Sequence, residues 1–149
     1  MQLLLVLDHV IAEENAYMIL PAAEEGIVPG LGNLRLTRLT RLTGARLARQ
    51  VVLGGRRIAA TEPEARYVCD TVVPAGDMDG AVDRAVEALR APAVSANRHM
   101  LTVAEEPLDL YRAYLAEFAV VQAARTYAPD VLDKVERRWQ ERERRRAAR

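Results

Sequence analysis

The pattern of apolar and polar positions predicts short strands early in the chain and helices for most of the rest. Met1 to Leu7 is almost continuously apolar and closes at Asp8. So short a run fits a buried helix or a buried strand equally well. His9 to Glu13 and Ala16 to Leu20 read as two short strands around a Glu13-Glu14-Asn15 turn. Arg46 to Leu53 has Leu47 and Val51 on one helical face and stops at Gly54-Gly55. Thr61-Glu62-Pro63-Glu64 has capping-box spacing ahead of a short helix, and Asp70 to Val73 is rich in β-formers. Met78, Val82, Ala85, Val86 and Leu89 form an apolar stripe at helical spacing. Pro92 opens another helix with Val94, Leu101 and Ala104 inward. A long face of Leu108, Tyr111, Leu115, Phe118 and Gln122 follows Pro107, and Val131 to Trp139 makes a last helix. Glu141 to Arg149 is charged, poor in apolar residues and expected to fray.

One segment breaks this pattern. From Leu20 to Leu36 glycine and proline punctuate an apolar run. Pro21 suits the first turn of a short helix, where its missing N–H costs nothing. Gly26 reads as the helix stop, because glycine enters the left-handed conformation without a Cβ penalty. Pro29-Gly30 is a turn signal, and Gly32 adds a second permissive position. Ile27, Val28 and Leu31 between them predict a buried turn rather than a solvated loop, a backbone wall beside a small-molecule pocket. A helix is expected next, carrying a Thr-Arg-Leu repeat in which Arg-Leu-Thr recurs three times from Arg35 to Thr43. The repeat reads as a slipped duplication ending at Gly44.

Composition narrows the classes. The 149 residues suffice for one domain with a core, half are hydrophobic, and the formal charge is zero. Nothing global points to nucleic acid or to a membrane. Cys69 is the sole cysteine, so no disulfide framework exists and a cytoplasmic location is the default. His9 and His99 are the only histidines, without ligand spacing, so a metal site of nitrogen and sulfur donors is not expected. Asp8 and His9 are neighbours, and neighbours on a strand point to opposite faces, which favours structural roles. Ser95 stands outside any nucleophile elbow, and Gly30-Leu31-Gly32 lacks the rest of a dinucleotide fingerprint. Glu24-Glu25 reads as a solvated helix face, and the mixed-charge tail likewise.

The order of motifs is more telling. Gln2 to Asp8, two strands, Leu20-Pro21, Gly26-Ile27-Val28-Pro29-Gly30, then Gly54-Gly55-Arg56-Arg57-Ile58, Glu64-Ala65 and Val72-Val73-Pro74 resemble the second half of the crotonase (enoyl-CoA hydratase/isomerase) core. The resemblance implies an α/β, ClpP/crotonase-like fold seen from its C-terminal part, with few short strands and a mostly helical end. Residues 1–75 would be the second half of the core with the front half missing, 76–140 a helical oligomerisation and active-site region, and 141–149 a charged tail. The apolar opening and the three-strand set, too few to make a covered sheet, point the same way. In that superfamily a Gly-Gly-Gly run preceding the position of Met1 supplies half of the oxyanion hole, and hydratases carry two catalytic glutamates. Those positions correspond to Gln2 and Ala22, neither of which can act as a carboxylate base, so hydration is disfavoured.

A narrower subgroup resembles the chain over Met1 to about Val135: the cofactor-independent dioxygenases of 3,5-dihydroxyphenylacetyl-CoA in glycopeptide-antibiotic biosynthesis. The matching segments include Leu20-Pro21-Ala22, Glu25 to Gly30, Asn33 to Leu36, Glu62 to Arg66, Ala96 to Leu101 and Tyr114 to Ala119. The repeat is longer than in that subgroup, and the tail beyond Arg137 departs from it. The resemblance implies oxygenation of an arylacetyl-CoA to an arylglyoxylate plus CoA, with no metal or other cofactor. It implies substrate contacts at Gln2, Gly26 and Gly30, and a dioxygen niche at Ala22, Ile27 and Val131, with no certain catalytic residue in this chain. Partners implied are an acyl-CoA, dioxygen and further copies in a trimer or hexamer, with no nucleic acid and no membrane. Alternatives are another crotonase-fold isomerase or hydrolase, and a non-catalytic remnant. The chain alone is expected to be inactive and prone to aggregate, because its sheet lacks partner strands.

Overall fold

A computed structural model describes residues 1, 3–30, 45–105 and 107–148. Gln2, Leu31, Gly32 and the Thr-Arg-Leu repeat with its expected helix lie outside the described residues. Four short strands precede a helical second half. Strands β1 (Ile11–Glu13) and β4 (Thr71–Val73) run parallel, pairing Ile11 with Thr71 and Glu13 with Val73. Strands β2 (Tyr17–Met18) and β3 (Ile58–Ala59) run antiparallel, pairing Met18 with Ile58. The strands around Glu14-Asn15 therefore do not pair with each other as a hairpin. The Ala16 N–H closes a turn onto the Glu13 carbonyl at 2.9 Å, and each strand then takes a partner far along the chain. The two-residue strand at Ile58 is an addition to the three expected from sequence.

The core forms where these strands meet helix α2 (Ala45–Gly54). Leu20, Val51 and Ile58 are at most 1% exposed, and Leu5, Val10, Met18, Ala48, Ala65, Val68 and Cys69 complete the cluster. Full burial of a leucine, isoleucine or valine contributes about 1.5–3 kcal/mol each. Helix α2 presents Ala48 and Val51 as its buried pair, with Leu47 and Val52 at the margin. It stops where predicted: Gly55 takes φ +61°, and the Arg56 N–H bonds back to the Gln50 carbonyl at 3.1 Å. The opening run is neither a buried helix nor a strand. It is a 3-10 turn over Leu4–Val6 that buries Leu5 and exposes Leu3 and Leu7. The capping-box expectation also shifts. Glu62 rather than Thr61 is the N-cap of the 3-10 helix Pro63–Tyr67, and its carboxylate accepts the Ala59 N–H at 3.1 Å.

Four helices follow: α3 (Met78–Ala88), α4 (Pro92–Glu105), α5 (Leu108–Thr126) and α6 (Pro129–Ala147). Helix α3 packs on β1 through Ala81, yet its predicted stripe at Val82, Val86 and Leu89 is exposed. Leu101 in α4 is exposed as well, as are Leu108 and Leu115 in α5. Helix α6 extends eight residues past Trp139, so the segment 141–147, expected to fray, is helical. Arginine, glutamate and alanine all favour helix, and the Gln140–Glu136 bond at 3.2 Å is one i,i+4 tie within it. No helix among the described residues is long and apolar enough to cross a membrane.

Candidate functional site

The punctuated segment forms a capped turn. Helix α1 (Ala22–Glu25) starts after Pro21 and ends at Gly26, whose φ of +77° is left-handed. The Gly26 N–H donates to the Ala23 carbonyl at 3.2 Å and the Ile27 N–H to the Ala22 carbonyl at 3.0 Å. These are the two bonds of a Schellman cap. Ala22 is 2% exposed, Pro29 is buried, and Ile27 and Val28 are half-buried.

Helices α5 and α6 hold this turn by its backbone. The Tyr114 hydroxyl reaches the Pro29 and Gly30 carbonyls, each at 3.2 Å. Gln122 Oε1 accepts the Val28 N–H at 2.9 Å. Arg125 Nε donates to the Gly26 carbonyl at 2.6 Å, while its Nη2 pairs with Asp130 at 2.6 Å. Lys134 Nζ donates to the Glu24 carbonyl at 2.7 Å, and Arg138 meets the Glu25 carboxylate at 3.5 Å. The carbonyls of Glu24 and Gly26, left over by the Schellman cap, thus receive cationic donors where the helix end is negative. The Arg125 guanidinium holds the Asp130 carboxyl below its ordinary value.

Close packing completes the arrangement. Val131, 6% exposed, lies against Gly26: a Cβ at position 26 would sit 2.9 Å from Val131 Cγ2, 3.0 Å from Asp130 Oδ2 and 3.1 Å from Arg125 Nη2. The structure therefore brings Gly26 and Val131 together, with Ala22 and Ile27 joined to them through the cap. Gly30 sits at the far end of the turn under Tyr114, and Gln2 lies outside the described residues. Ala22 and Val131 are buried outside the main core cluster. Hollows of about 650 Å³ beside α2 and about 270 Å³ beside β1 are lined by other residues.

The clamp itself escaped the sequence reading, apart from Gln122. Its signal was present as spacing: Tyr111, Tyr114, Phe118, Gln122 and Arg125 are the half-buried positions of that stretch of α5. They follow each other at three- and four-residue steps. The expected face at Leu108 and Leu115 is displaced around the helix because the surface it meets is backbone carbonyl, which selects hydroxyl, amide and guanidinium groups.

Other polar residues are structurally committed. Asp8 pairs with Arg98 at 2.6 Å, while His9 Nδ1 lies 3.9 Å from Asp70, whose carboxylate accepts the Val10 N–H at 2.7 Å. Arg56 bridges Glu62 and Glu64, both at 3.0 Å. Among the described residues no group of three or more His, Cys, Asp or Glu side chains is placed to hold a metal ion.

The family model described as enoyl-CoA hydratase/isomerase matches residues 1–127. A (3,5-dihydroxyphenyl)acetyl-CoA 1,2-dioxygenase of Amycolatopsis orientalis is 58% identical over 134 residues, which are 90% of this chain and 30% of that protein. A probable enoyl-CoA hydratase of Mycobacterium bovis is 35% identical over 77 residues, 52% of this chain and 29% of that protein. The chain thus spans under a third of the length of these curated relatives. The crystal structure of an enoyl-CoA hydratase from Mycobacterium avium subsp. paratuberculosis superposes with a TM-score of 0.70 at 26% identity, covering 92% of this chain and 55% of that one.

Proposed function

The chain belongs to the enoyl-CoA hydratase/isomerase family and has the α/β fold of its crotonase neighbours, and on that premise we propose that it supplies the pocket wall of a cofactor-independent dioxygenase. The reaction is conversion of 3,5-dihydroxyphenylacetyl-CoA and dioxygen to 3,5-dihydroxyphenylglyoxylate and CoA, a step suited to antibiotic biosynthesis. The 58% identity to a dioxygenase with that substrate in its name carries the reading. Support comes from the wall itself: Ala22 is buried where a hydratase would carry an acid, and Val131 is buried beside Gly26.

The chemistry balances without a cofactor. Polarisation of the thioester carbonyl by backbone N–H groups acidifies the α-carbon, and loss of one proton gives an enolate conjugated to the dihydroxyphenyl ring. The enolate reduces dioxygen and combines with it to form a C–O bond at the α-carbon. The terminal peroxide oxygen attacks the thioester carbon, and the C–S bond breaks to release CoA thiolate. Departure of the second α-proton cleaves the O–O bond, leaving a ketone and a carboxylate that contain both oxygen atoms. The carbonyl-polarising donors are not among the residues this reading assigns to the chain. Its share is a dry apolar niche at Ala22, Ile27 and Val131, with Gln2, Gly26 and Gly30 along the substrate, which favours oxygenation over attack by water. The same reading makes the protein a cytoplasmic homo-oligomer, consistent with the exposed apolar faces of α3, α4 and α5, and leaves the 149-residue chain inactive by itself.

The test exchanges this chain for its matching segment in the Amycolatopsis orientalis relative. The product is incubated with 3,5-dihydroxyphenylacetyl-CoA in air with chelator present. Oxygen uptake matched by CoA release is the expected result. A folded hybrid that gives neither sinks the reading. CoA release without oxygen uptake points to the hydrolase alternative.

A further inference from the structure

We propose that Arg125 is a positioning residue: it grips the Gly26 carbonyl while Asp130 grips it, and so fixes the Gly26–Val28 backbone that walls the pocket. The proposal deepens the functional reading above and rests on it for what the wall encloses. Three observations carry it. The guanidinium is divided between two acceptors at 2.6 Å each, one on the turn and one on the first turn of α6. That division ties the end of α1 to the start of α6, and Val131 is the residue next to Asp130, packed where a Cβ at position 26 would collide. Gln122, one helical turn earlier on α5, fixes the Val28 N–H, so both ends of the Gly26–Val28 peptide run are held from the same helix face. Loss of the Arg125 link leaves the Schellman cap the preferred conformation but lets its N–H bonds, the Ile27 N–H to Ala22 among them, open more often as the turn shifts relative to Val131. Water then gains entry, and the enolate or the thioester is consumed unproductively.

The ion pair is accessible to solvent, with side-chain exposures of 37% for Arg125 and 53% for Asp130. Its effect is therefore geometric, because exposed pairs add little to global stability. Arg125→Met keeps the aliphatic stem and removes both donors. Arg125→Lys keeps the charge on one compact ammonium but loses the planar fork whose separate Nε and Nη2 reach the carbonyl and Asp130 together. Asp130→Asn weakens the grip from the other side.

The first readout is amide hydrogen exchange in the full chain. In Arg125→Met, exchange at Ile27 and Val28 should rise about tenfold, with Ala60 and Cys69 in the core unchanged. Asp130→Asn should give a smaller change at the same amides. The second readout is the ratio of oxygen consumed to CoA released in the hybrid enzyme. Arg125→Met should lower it severalfold with KM little altered, and Arg125→Lys should restore part of it. Exchange unchanged at Ile27 and Val28, or raised equally in the core, overturns the proposal. So does an unchanged ratio in an active hybrid. A wild-type hybrid without oxygen uptake removes the dioxygenase reading alone, and the exchange pattern then decides whether Arg125 fixes the turn.

Discussion

Substitution of Gly26 by alanine tests the packing of the turn most directly. Two costs add. A non-glycine residue held at φ +77° loses about 1–2 kcal/mol to the contact between its Cβ and the carbonyl oxygen. The new methyl also lands 2.9 Å from Val131 Cγ2, inside contact distance, and overpacking of this kind costs about 1–3 kcal/mol. Together they predict a loss of about 2–5 kcal/mol. With a urea m-value of about 2 kcal/mol/M, the unfolding midpoint followed by circular dichroism should fall by about 1–2.5 M at fixed protein concentration. Val131→Ala separates the two costs. Alone it removes two apolar carbons worth about 0.8 kcal/mol each. Combined with Gly26→Ala it removes the nearest colliding atom, so the double variant should be more stable than the sum of the singles by at least about 1 kcal/mol. Gly54→Ala is the control: nothing lies within 4 Å of its added Cβ, and it ends α2 without a left-handed φ. It should be neutral or stabilising by up to about 1 kcal/mol. A Gly26→Ala protein within about 0.5 kcal/mol of wild type, or an additive cycle with Val131→Ala, would refute the reasoning.

Acidity should matter in a defined window. Glu64, through its own backbone N–H and then Arg56, and Asp130, through Arg125, are held below their ordinary values of 4.5 and 3.8. Their folded forms favour the carboxylate, so this stability is complete above those values and is lost as pH falls through the lower folded ones. On account of these two groups the urea midpoint should decline as pH falls below about 5, with a shallower decline in Asp130→Asn. Burial, and next the Asp70 charge, push the Cys69 thiol up from 9.0. Near pH 8 a disulfide reagent should label the native chain at least about tenfold more slowly than the urea-unfolded chain, and equal rates would contradict its burial. Tyr114→Phe removes the donor to the Pro29 and Gly30 carbonyls. A loss of about 0.5–1.5 kcal/mol in urea unfolding is expected, and no loss would mean that water satisfies both carbonyls equally well.

The sequence was most legible where backbone geometry dictates residue type. Pro21 and Gly26 bracket α1, Gly54-Gly55 ends α2, and Thr71 to Val73 is a strand, as their residue types require. Periodicity was less informative wherever it had to say what a face touches. The stripe at Val82, Val86 and Leu89 is real as spacing, but burial depends on a partner surface that spacing does not contain. Helix α6 outruns its apolar pattern, which ends at Trp139, because intrinsic propensity carries it on to Ala147. The pairing of β1 with β4 rather than with its neighbour β2 is set by contacts across the core, which no local window holds. In the glycine- and proline-punctuated segment, the capped turn was readable and the clamp was not. A tyrosine, a glutamine and an arginine on one helix look like surface residues until the facing surface is known to consist of carbonyl groups.

The bonds that fasten the turn also set when it can form. Tyr114, Gln122, Arg125, Lys134 and Arg138 lie 84 to 113 residues beyond the groups they hold. During synthesis the turn emerges before α5 and α6 and waits for them before any of these bonds can be made, and contacts of such separation are slow to close. The core around Val51 and Ile58 needs none of them. A chain released before Tyr114 could therefore complete that core and still have an unset turn. Quality control that inspects only exposed core surface would pass such a product as mature.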